Sequence, residues 1–193
     1  VAVQKNTERE RLQLAAANAS RRAYDFICMA IAEEKLDVKI VCALPGLTTG
    51  YGPSHQATED LAIFRGMPNL TIVDPCDALD IEQATPQLSA HKGPVYMRLL
   101  RGNVPMVLDE YDYKFELGKA KLIRGGNDVL IVSSGLMTMR ALEAAKALQA
   151  EGCQVSAPRY PLLHQQPVFT EGVWAKLARL ENIPGLTLPA YDP

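Results

Sequence analysis

The chain has 193 residues, 48% of them hydrophobic and 22% charged, and its 20 Lys and Arg against 22 Asp and Glu give a formal net charge of -2. This composition is typical of a folded globular protein and argues against a disordered, collagenous or coiled-coil chain. Without a basic cluster or an apolar run of about 20 residues, the sequence also argues against a nucleic-acid partner and a membrane span, so we expect a cytoplasmic protein.

The first 102 residues alternate between helical and strand-like patterns. The spacing of apolar residues predicts helices over residues 20–34, 57–65 and 78–90, and buried strands over residues 38–43, 70–73 and 95–100. Asp77 stands at the N-cap position of the third helix. Near-continuous apolar strands separated by helices predict an α/β fold: a parallel sheet with helices on both faces. The charged run around Glu8 and Glu10 is typical of the solvent-exposed face of a helix.

A second, incomplete α/β unit follows a surface linker over residues 103–118. Strands are predicted over residues 120–124 and 129–133, on either side of a Gly-rich turn, followed by a helix over residues 138–151 and a strand from residue 154. Proline punctuates the remaining tail. Because the sequence starts at Val1 rather than at Met and ends abruptly with Tyr191, Asp192 and Pro193, we expect it to be a fragment of a longer protein.

The four cysteines, Cys28, Cys42, Cys76 and Cys153, are scattered among apolar neighbours without a CxxC pair. A thiol in such surroundings behaves as a small hydrophobic side chain. The sequence therefore predicts neither a disulfide nor a metal site.

Residues 46–56 carry the strongest local signal for function. They are rich in Gly, Thr, Ser and Pro and follow the predicted strand over residues 38–43 at its carboxyl end, where open α/β sheets bind their ligands. His55 lies at the end of this loop, and an imidazole there can donate to a substrate hydroxyl or exchange a proton near neutral pH. The alternative is that Ser54 and His55 merely cap the helix predicted from residue 57.

Three segments resemble the pyrimidine-binding domain of transketolases in order and spacing: residues 52–62, 74–77 and 93–99. The likeness is greatest to split transketolases, whose carboxyl-terminal half is a separate subunit. Residues 134–145 resemble the start of that family's carboxyl-terminal domain. The resemblance implies five parts: an unassigned segment (1–19), a truncated pyrimidine-binding domain (20–102), a linker (103–118), the start of the carboxyl-terminal domain (119–157) and an unrelated tail (158–193).

The resemblance implies transfer of a two-carbon ketol unit between sugar phosphates on thiamine diphosphate. By position, His55 is the loop histidine that contacts the donor sugar, with Ser54 and Tyr51 beside it as substrate-binding residues. Arg101 matches the phosphate-binding arginine, whose guanidinium fork suits phosphate oxygens; the alternative is an ordinary surface charge after a strand. The family places the diphosphate and Mg²⁺ on the amino-terminal half, so the implied partner is an amino-terminal subunit within an oligomer.

The sequence departs from the family pattern in three ways. Tyr51 stands where an aspartate is common, residues 17–20 lack the aromatic side chains expected just before Arg22, and nothing matches the glutamate that activates thiamine. No cofactor-binding residue is therefore assigned, and we predict that the isolated chain is inactive. Two alternatives stay open: a non-catalytic interaction module, or a subunit of a deoxyxylulose-phosphate synthase or 2-oxoacid dehydrogenase type of thiamine enzyme.

The tail adds a weaker resemblance. Residues 159–169 are similar to a stretch near the end of pyridoxal-phosphate-dependent sugar and aminohydroxybenzoate-type aminotransferases. The Schiff-base lysine motif of that family does not occur in the sequence, so no pyridoxal chemistry is implied, and His164 is interpreted as a loop contact.

Overall fold

The computed structural model describes the backbone of residues 2–6, 9–159 and 162–163 and the side chains of residues 16–159. The strands are β1 (Ala2–Asn6), β2 (Arg9–Ala15), β3 (Val38–Ala43), β4 (Thr71–Val73), β5 (Val95–Leu99), β6 (Lys121–Arg124), β7 (Val129–Leu130), β8 (Val155–Arg159) and β9 (Leu162–Leu163). The helices are α1 (Ala16–Arg22), α2 (Tyr24–Ile27), which continues into a π-helical turn (Cys28–Ala32), α3 (Asp60–Arg65), α4 (Ala78–Ala90) and α5 (Met137–Ala150).

Within the described residues, the first sheet has the strand order β1-β2-β3-β5-β4-β9. The four inner strands are parallel, and β1 and β9 add antiparallel at the two edges. Parallel neighbours require crossover connections, which the helices between successive strands supply. This topology places the carboxyl ends of β3 and β5 side by side.

The sheet has an apolar core on each face because side chains alternate along every strand. Ile40 and Tyr96 point to one face, where they pack with buried side chains of α1, α2 and α3. Val95 and Met97 point to the other face, where they pack with α4 and with apolar residues of the segment 107–117. The predicted parallel α/β sheet with helices on both faces is confirmed.

The second unit contains a smaller sheet with the order β6-β8-β7 in the described part of the chain. β6 is antiparallel to β8, whereas β7 is parallel to it. Helix α5 contacts β8, and both elements have buried apolar side chains: Leu142 and Ala145 on α5, Val155 and Ala157 on β8.

Asp74, which directly follows β4, joins the two sheets. Its carboxylate pairs with Arg98 (Nη1 to Oδ2, 3.1 Å) and accepts a hydrogen bond from Ser134 Oγ at 3.2 Å. Its carbonyl oxygen accepts from the backbone N–H of Gly135 at 3.1 Å and from Arg159 Nη2 at 3.2 Å. Burial raises the pKa of Asp74, and the charge of Arg98 opposes that rise.

A fully buried ion pair lies beside this junction. Arg159, at the end of β8, is 0% exposed and pairs with Asp80 on α4, which is also 0% exposed. Arg159 Nη1 donates to the hydroxyl of Tyr113 at 2.6 Å, and that hydroxyl donates to Asp80 Oδ1 at 2.7 Å. The backbone N–H of Cys76 donates to Asp80 Oδ2 at 2.8 Å. The network thus gives both oxygens of the buried carboxylate hydrogen-bond donors.

Most predicted elements of the first unit are confirmed. β3 spans the predicted residues 38–43, and β4 and β5 are each one residue shorter than predicted. α4 has the predicted bounds, and Asp77 caps it by accepting a hydrogen bond from the backbone N–H of Asp80 at 3.1 Å.

At the start of the chain one prediction is wrong and one is confirmed only in part. The charged run around Glu10 is not a helix face, because residues Arg9–Ala15 pair with β3 as strand β2; Glu8 lies outside the described residues. The helix predicted over residues 20–34 begins earlier, at Ala16, and is interrupted at Ala23, whose φ of -103° and ψ of 5° are not helical.

The prediction for residues 129–133 is also wrong in part. Only Val129 and Leu130 form a strand, and Val129 and Val132 are exposed rather than buried. β6 and β7 lie on either side of the predicted turn, and each pairs with β8. The domain boundaries stay predictions, and the tail beyond Arg159 lies outside the described residues apart from β9.

Candidate functional site

The loop that carries Tyr51, Ser54 and His55 leaves the carboxyl end of β3 and returns beside it. The backbone N–H of Gly46 donates to the carbonyl of Ala57 at 2.8 Å, and Pro45 forms a β-bridge with Ala57. Gly46 has a φ of +61°, a conformation that favours glycine. Because its base is closed, the loop over residues 46–57 is held at this edge of the sheet.

Hydrogen bonds within the loop fix its path. The side chain of Gln56 donates from Nε2 to the carbonyl of Thr49 at 3.0 Å, and Thr48 Oγ1 donates to the carbonyl of Pro45 at 2.6 Å. The backbone N–H of His55 donates to the carbonyl of Gly52 at 3.0 Å. These bonds set the position of His55 from both sides of the loop.

Tyr51 lies between the two residues to which the family resemblance assigns substrate contacts. Its ring centroid is 5.6 Å from that of His55, with the planes tilted by 58°. Arg101 Nη1 donates to the Tyr51 hydroxyl at 3.0 Å, and its guanidinium carbon lies 5.6 Å from the Tyr51 ring centroid. His55 Nδ1 is 3.0 Å from Ser54 Oγ. All four predicted site residues therefore lie in one cluster.

The pairing of the strands explains why residues 50 positions apart meet. β3 and β5 are parallel neighbours, and the backbone N–H of Leu44 donates to the carbonyl of Leu99 at 3.1 Å. The loop starts two residues after that contact on one side, and Arg101 follows it by two residues on the other. The cluster is open to solvent: Ser54 and Arg101 are exposed, and Tyr51 is 60% exposed.

The capping alternative for Ser54 and His55 is wrong. α3 begins at Asp60, its N-cap position is Glu59, and no side chain caps it. Ser54 and His55 instead belong to turns that precede the helix by several residues.

Arg21 is part of this site although the sequence did not indicate it. Its guanidinium, at the end of α1, donates to both carboxylate oxygens of Glu59, to the carbonyl of Pro53 at 2.6 Å and to the carbonyl of Gln56 at 3.1 Å. The hydrogen bond from Arg21 lowers the pKa of Glu59 to about 2. No local pattern distinguishes Arg21 from its neighbour Arg22, because the contacts are with residues more than 30 positions away.

A network of polar side chains joins α3, which follows the loop, to strand β5. Asp60 Oδ2 accepts hydrogen bonds from the Tyr96 hydroxyl at 2.7 Å and from Arg98 Nε at 2.9 Å. These contacts link the first residue of α3 to strand β5. Because the polar groups satisfy one another, we interpret the network as structural support for the cluster.

Small side chains stand in α1 where the resemblance implies aromatic contacts with thiamine. Where the resemblance implies aromatic side chains, Ala17, Ala19 and Ser20 are buried within α1, and Ser20 Oγ donates to the carbonyl of Ala16 at 2.9 Å. Among the residues with described side chains, no group of three or more His, Cys, Asp or Glu could hold a metal ion. Within the same part of the chain, no helix is long and apolar enough to span a membrane.

Comparison with protein families gives two matches. The family described as "Transketolase, pyrimidine binding domain" matches residues 14–107, and "Transketolase, C-terminal domain" matches residues 118–157. Together they cover about two thirds of the chain.

Three curated proteins illustrate the similarity. A putative uncharacterized transketolase family protein, y4mN, from Sinorhizobium fredii is 70% identical over 83% of this chain and 46% of its own length. The 6-deoxy-6-sulfo-D-fructose transketolase subunit SqwH from a Clostridium species is 42% identical over 70% of this chain and 42% of its own. A putative transketolase C-terminal section from Methanocaldococcus jannaschii is 37% identical over 79% of this chain and 48% of its own. The chain thus spans about half the length of these relatives.

A solved structure described as a split gene transketolase, inactive beta4 tetramer, superimposes with a TM-score of 0.70 at 38% identity. The superposition covers 78% of this chain and 48% of that one. The fold and the sequence therefore point to the same group of proteins.

Proposed function

Because this chain belongs to the transketolase family, we propose that it serves as the carboxyl-terminal section of a two-part transketolase and binds the sugar phosphate donor during transfer of a two-carbon ketol unit. The observation that carries the proposal is the meeting of Tyr51, Ser54, His55 and Arg101 at the carboxyl edge of β3 and β5. This edge is where open α/β sheets bind ligands.

His55 would bind a hydroxyl of the donor. Its Nδ1 is engaged with Ser54 Oγ at 3.0 Å, which fixes the ring and leaves Nε2 for the substrate. The Ser54 hydroxyl can either donate to Nδ1 or accept from it, so this contact is kept in both tautomers of the imidazole. The role of His55 is thus to orient the donor and to share a proton with its hydroxyl.

Arg101 would bind the phosphate of the donor. Its guanidinium is exposed and already held by the Tyr51 hydroxyl and ring, so less side-chain entropy is lost when an anion binds. Phosphate oxygens offer the guanidinium stronger, charge-assisted hydrogen bonds than a phenol does. Tyr51, in the place of the family's common aspartate, would therefore position the arginine.

Thiamine diphosphate and Mg²⁺ would be held by an amino-terminal partner subunit. Among the residues with described side chains, no group of three or more His, Cys, Asp or Glu could hold a metal ion, so no step of the reaction is assigned to this chain through either group. Two observations support a site completed by a partner: the cluster is open, with Leu47 and Tyr51 74% and 60% exposed, and one relative is described as a tetramer. The assembly would be an oligomer.

A second candidate function differs from the first only in the anionic group of the donor, which would be a sulfonate instead of a phosphate. SqwH is described as a transketolase subunit for 6-deoxy-6-sulfo-D-fructose. A guanidinium fork suits a sulfonate as well as a phosphate. A sulfo-sugar donor is therefore the second candidate, and it uses the same residues.

The experiment compares donors in an assembled enzyme, with this chain supplied together with an amino-terminal transketolase section, thiamine diphosphate and Mg²⁺. We expect His55→Ala to lower transfer efficiency about 5-fold to 150-fold, which is the effect of losing one hydrogen bond to substrate. Arg101→Ala should raise KM for xylulose 5-phosphate but not for xylulose. Arg65→Ala, which removes an exposed arginine at the end of α3, is the matched control.

Three outcomes separate the alternatives. Unchanged kinetics in both variants would contradict the site assignment and favour a non-catalytic interaction module. A preference for 6-deoxy-6-sulfo-D-fructose that Arg101→Ala abolishes would favour the sulfo-sugar reaction. The chain alone, assayed with the same cofactors and with xylulose 5-phosphate and ribose 5-phosphate, should give no turnover above buffer.

A further inference from the structure

The side chain of Arg21 reaches the loop of His55 from a separate element. It lies at the end of α1, more than 30 residues away in sequence, and its hydrogen bonds fall on Pro53, Gln56 and Glu59. The first two acceptors are backbone carbonyls that flank Ser54 and His55. The third is a carboxylate at the N-cap position of α3.

We propose that Arg21 is a positioning residue for His55, an inference that rests on the proposed donor-binding role of the loop. A guanidinium presents five donors in a rigid fork, so one side chain can hold two carbonyls and a carboxylate at once. A lysine carries a single ammonium on a flexible stem and cannot reproduce this arrangement. Arg21 therefore fixes the backbone on both sides of His55.

The composition of the loop explains why it needs such a clamp. Leu47 is 74% exposed and Tyr51 is 60% exposed, so these large side chains contribute little burial to holding the loop down. Segments with few buried apolar contacts open locally without unfolding the rest of a protein. Hydrogen bonds to the backbone then decide how often the loop opens.

If Arg21 only stabilised the fold as a whole, its loss would accelerate exchange of loop and core amides equally. The side chains of Arg21 and Glu59 are 39% and 36% exposed, and exposed ion pairs contribute little to global stability. If Arg21 acts on the loop, its loss should be felt at the amides of the loop and not at those of the core.

Hydrogen exchange of the chain itself tests the inference. The amides of His55 and Gln56 both donate to the carbonyl of Gly52, and the amide of Thr71, which donates to Pro94, reports on the core. In Arg21→Ala we expect the two loop amides to exchange about 5-fold to 30-fold faster and the Thr71 amide to be unchanged. Arg21→Lys should restore only part of the protection, and Arg65→Ala should have no effect.

Glu59→Gln guards against a folding defect in Arg21→Ala, since it keeps the size of the side chain and removes its charge. It should accelerate the same loop amides. Unchanged loop exchange in both variants would overturn the inference, as would an equal acceleration at the loop and at Thr71. A donor titration separates the two proposals: if xylulose 5-phosphate does not shift the His55 ring resonances in the assembled wild-type enzyme, the proposed function fails, whereas the clamp is judged by exchange alone.

Discussion

Because Asp80 and Arg159 form a buried ion pair, we predict that the substitution Asp80→Asn greatly lowers the free energy of unfolding. Asp80→Asn replaces a carboxylate oxygen with an amide of nearly the same size. The variant leaves the charge of Arg159, which is 0% exposed, without a counter-charge. It also replaces one acceptor oxygen by an NH₂ donor, although the Tyr113 hydroxyl and Arg159 each donate to a different oxygen of Asp80.

Removing one partner of a buried ion pair costs about 3–5 kcal/mol, because the other charge stays buried and uncompensated. For a chain of this size, that loss corresponds to a fall in Tm of about 6–20 °C. Tyr113→Phe removes two hydrogen bonds but no charge, so it should cost less, about 1–3 kcal/mol. Replacing both ionic partners with apolar residues, in Asp80→Leu with Arg159→Met, should cost less than Asp80→Asn alone.

Urea denaturation followed by far-ultraviolet circular dichroism measures these differences. The matched control is Glu143→Gln, which breaks the exposed pair of Arg140 and Glu143 on α5 and should leave the midpoint unchanged within error. Added salt should not alter the cost of Asp80→Asn, because a buried pair is poorly screened. A loss below about 1 kcal/mol for Asp80→Asn would refute the reasoning.

Three further predictions concern other parts of the chain. Gly135 has a φ of +54°, and a Cβ there would lie 2.3 Å from the aspartate that follows β4, so Gly135→Ala should cost about 2–4 kcal/mol in urea denaturation. Gly118→Ala, at a φ of +84° with open space around it, should lower the free energy of unfolding only by the backbone strain of an alanine at positive φ. Burial raises the pKa of the Cys76 thiol to about 12, so iodoacetamide at pH 8 should label half-buried Cys28 while leaving Cys76 unlabelled in peptide mass spectra. The pKa of Glu59 is lowered from about 4.5 in the unfolded chain to about 2 in the fold. Its ion pair with Arg21 is therefore complete above pH 4.5 and is lost as the pH falls through about 2. Protection of the loop amides, corrected for intrinsic exchange, should persist at pH 4.

The sequence predicts the centre of the first sheet well because its signals are local. β3 is apolar except for Lys39, and its predicted and observed bounds agree. Strand β2 was missed because its charges resemble those of a helix face, although the alternation from Arg11 to Leu14 has the period of a strand. The pairing of β6 and β7 with β8 could not be predicted, since it depends on a strand that comes later in the chain.

In the candidate site too, some features could be predicted from the sequence and others depend on the three-dimensional structure. The loop of His55 is indicated by its position at the carboxyl end of a predicted strand, whereas Tyr51 and Arg101 are predicted as substrate-binding residues only through the resemblance to transketolases. That Tyr51 bridges the other two depends on side-chain geometry, which the sequence does not contain. Arg21 could not be distinguished from Arg22, because only the direction of the side chain brings it to two carbonyls of the loop and to the carboxylate of Glu59.

The long separation between the buried partners has a consequence for synthesis. Arg159 meets Asp80 across 79 residues and the carbonyl of Asp74 across 85. At about 5–20 residues per second, a ribosome makes the arginine roughly 4–16 s after the aspartate at position 80. Within that interval synthesis of α4 and β5 is completed, whereas the arginine that pairs with the carboxylate of Asp80 has not yet been made. The buried carboxylate of Asp80 can therefore gain its counter-charge only after β8 has been synthesised.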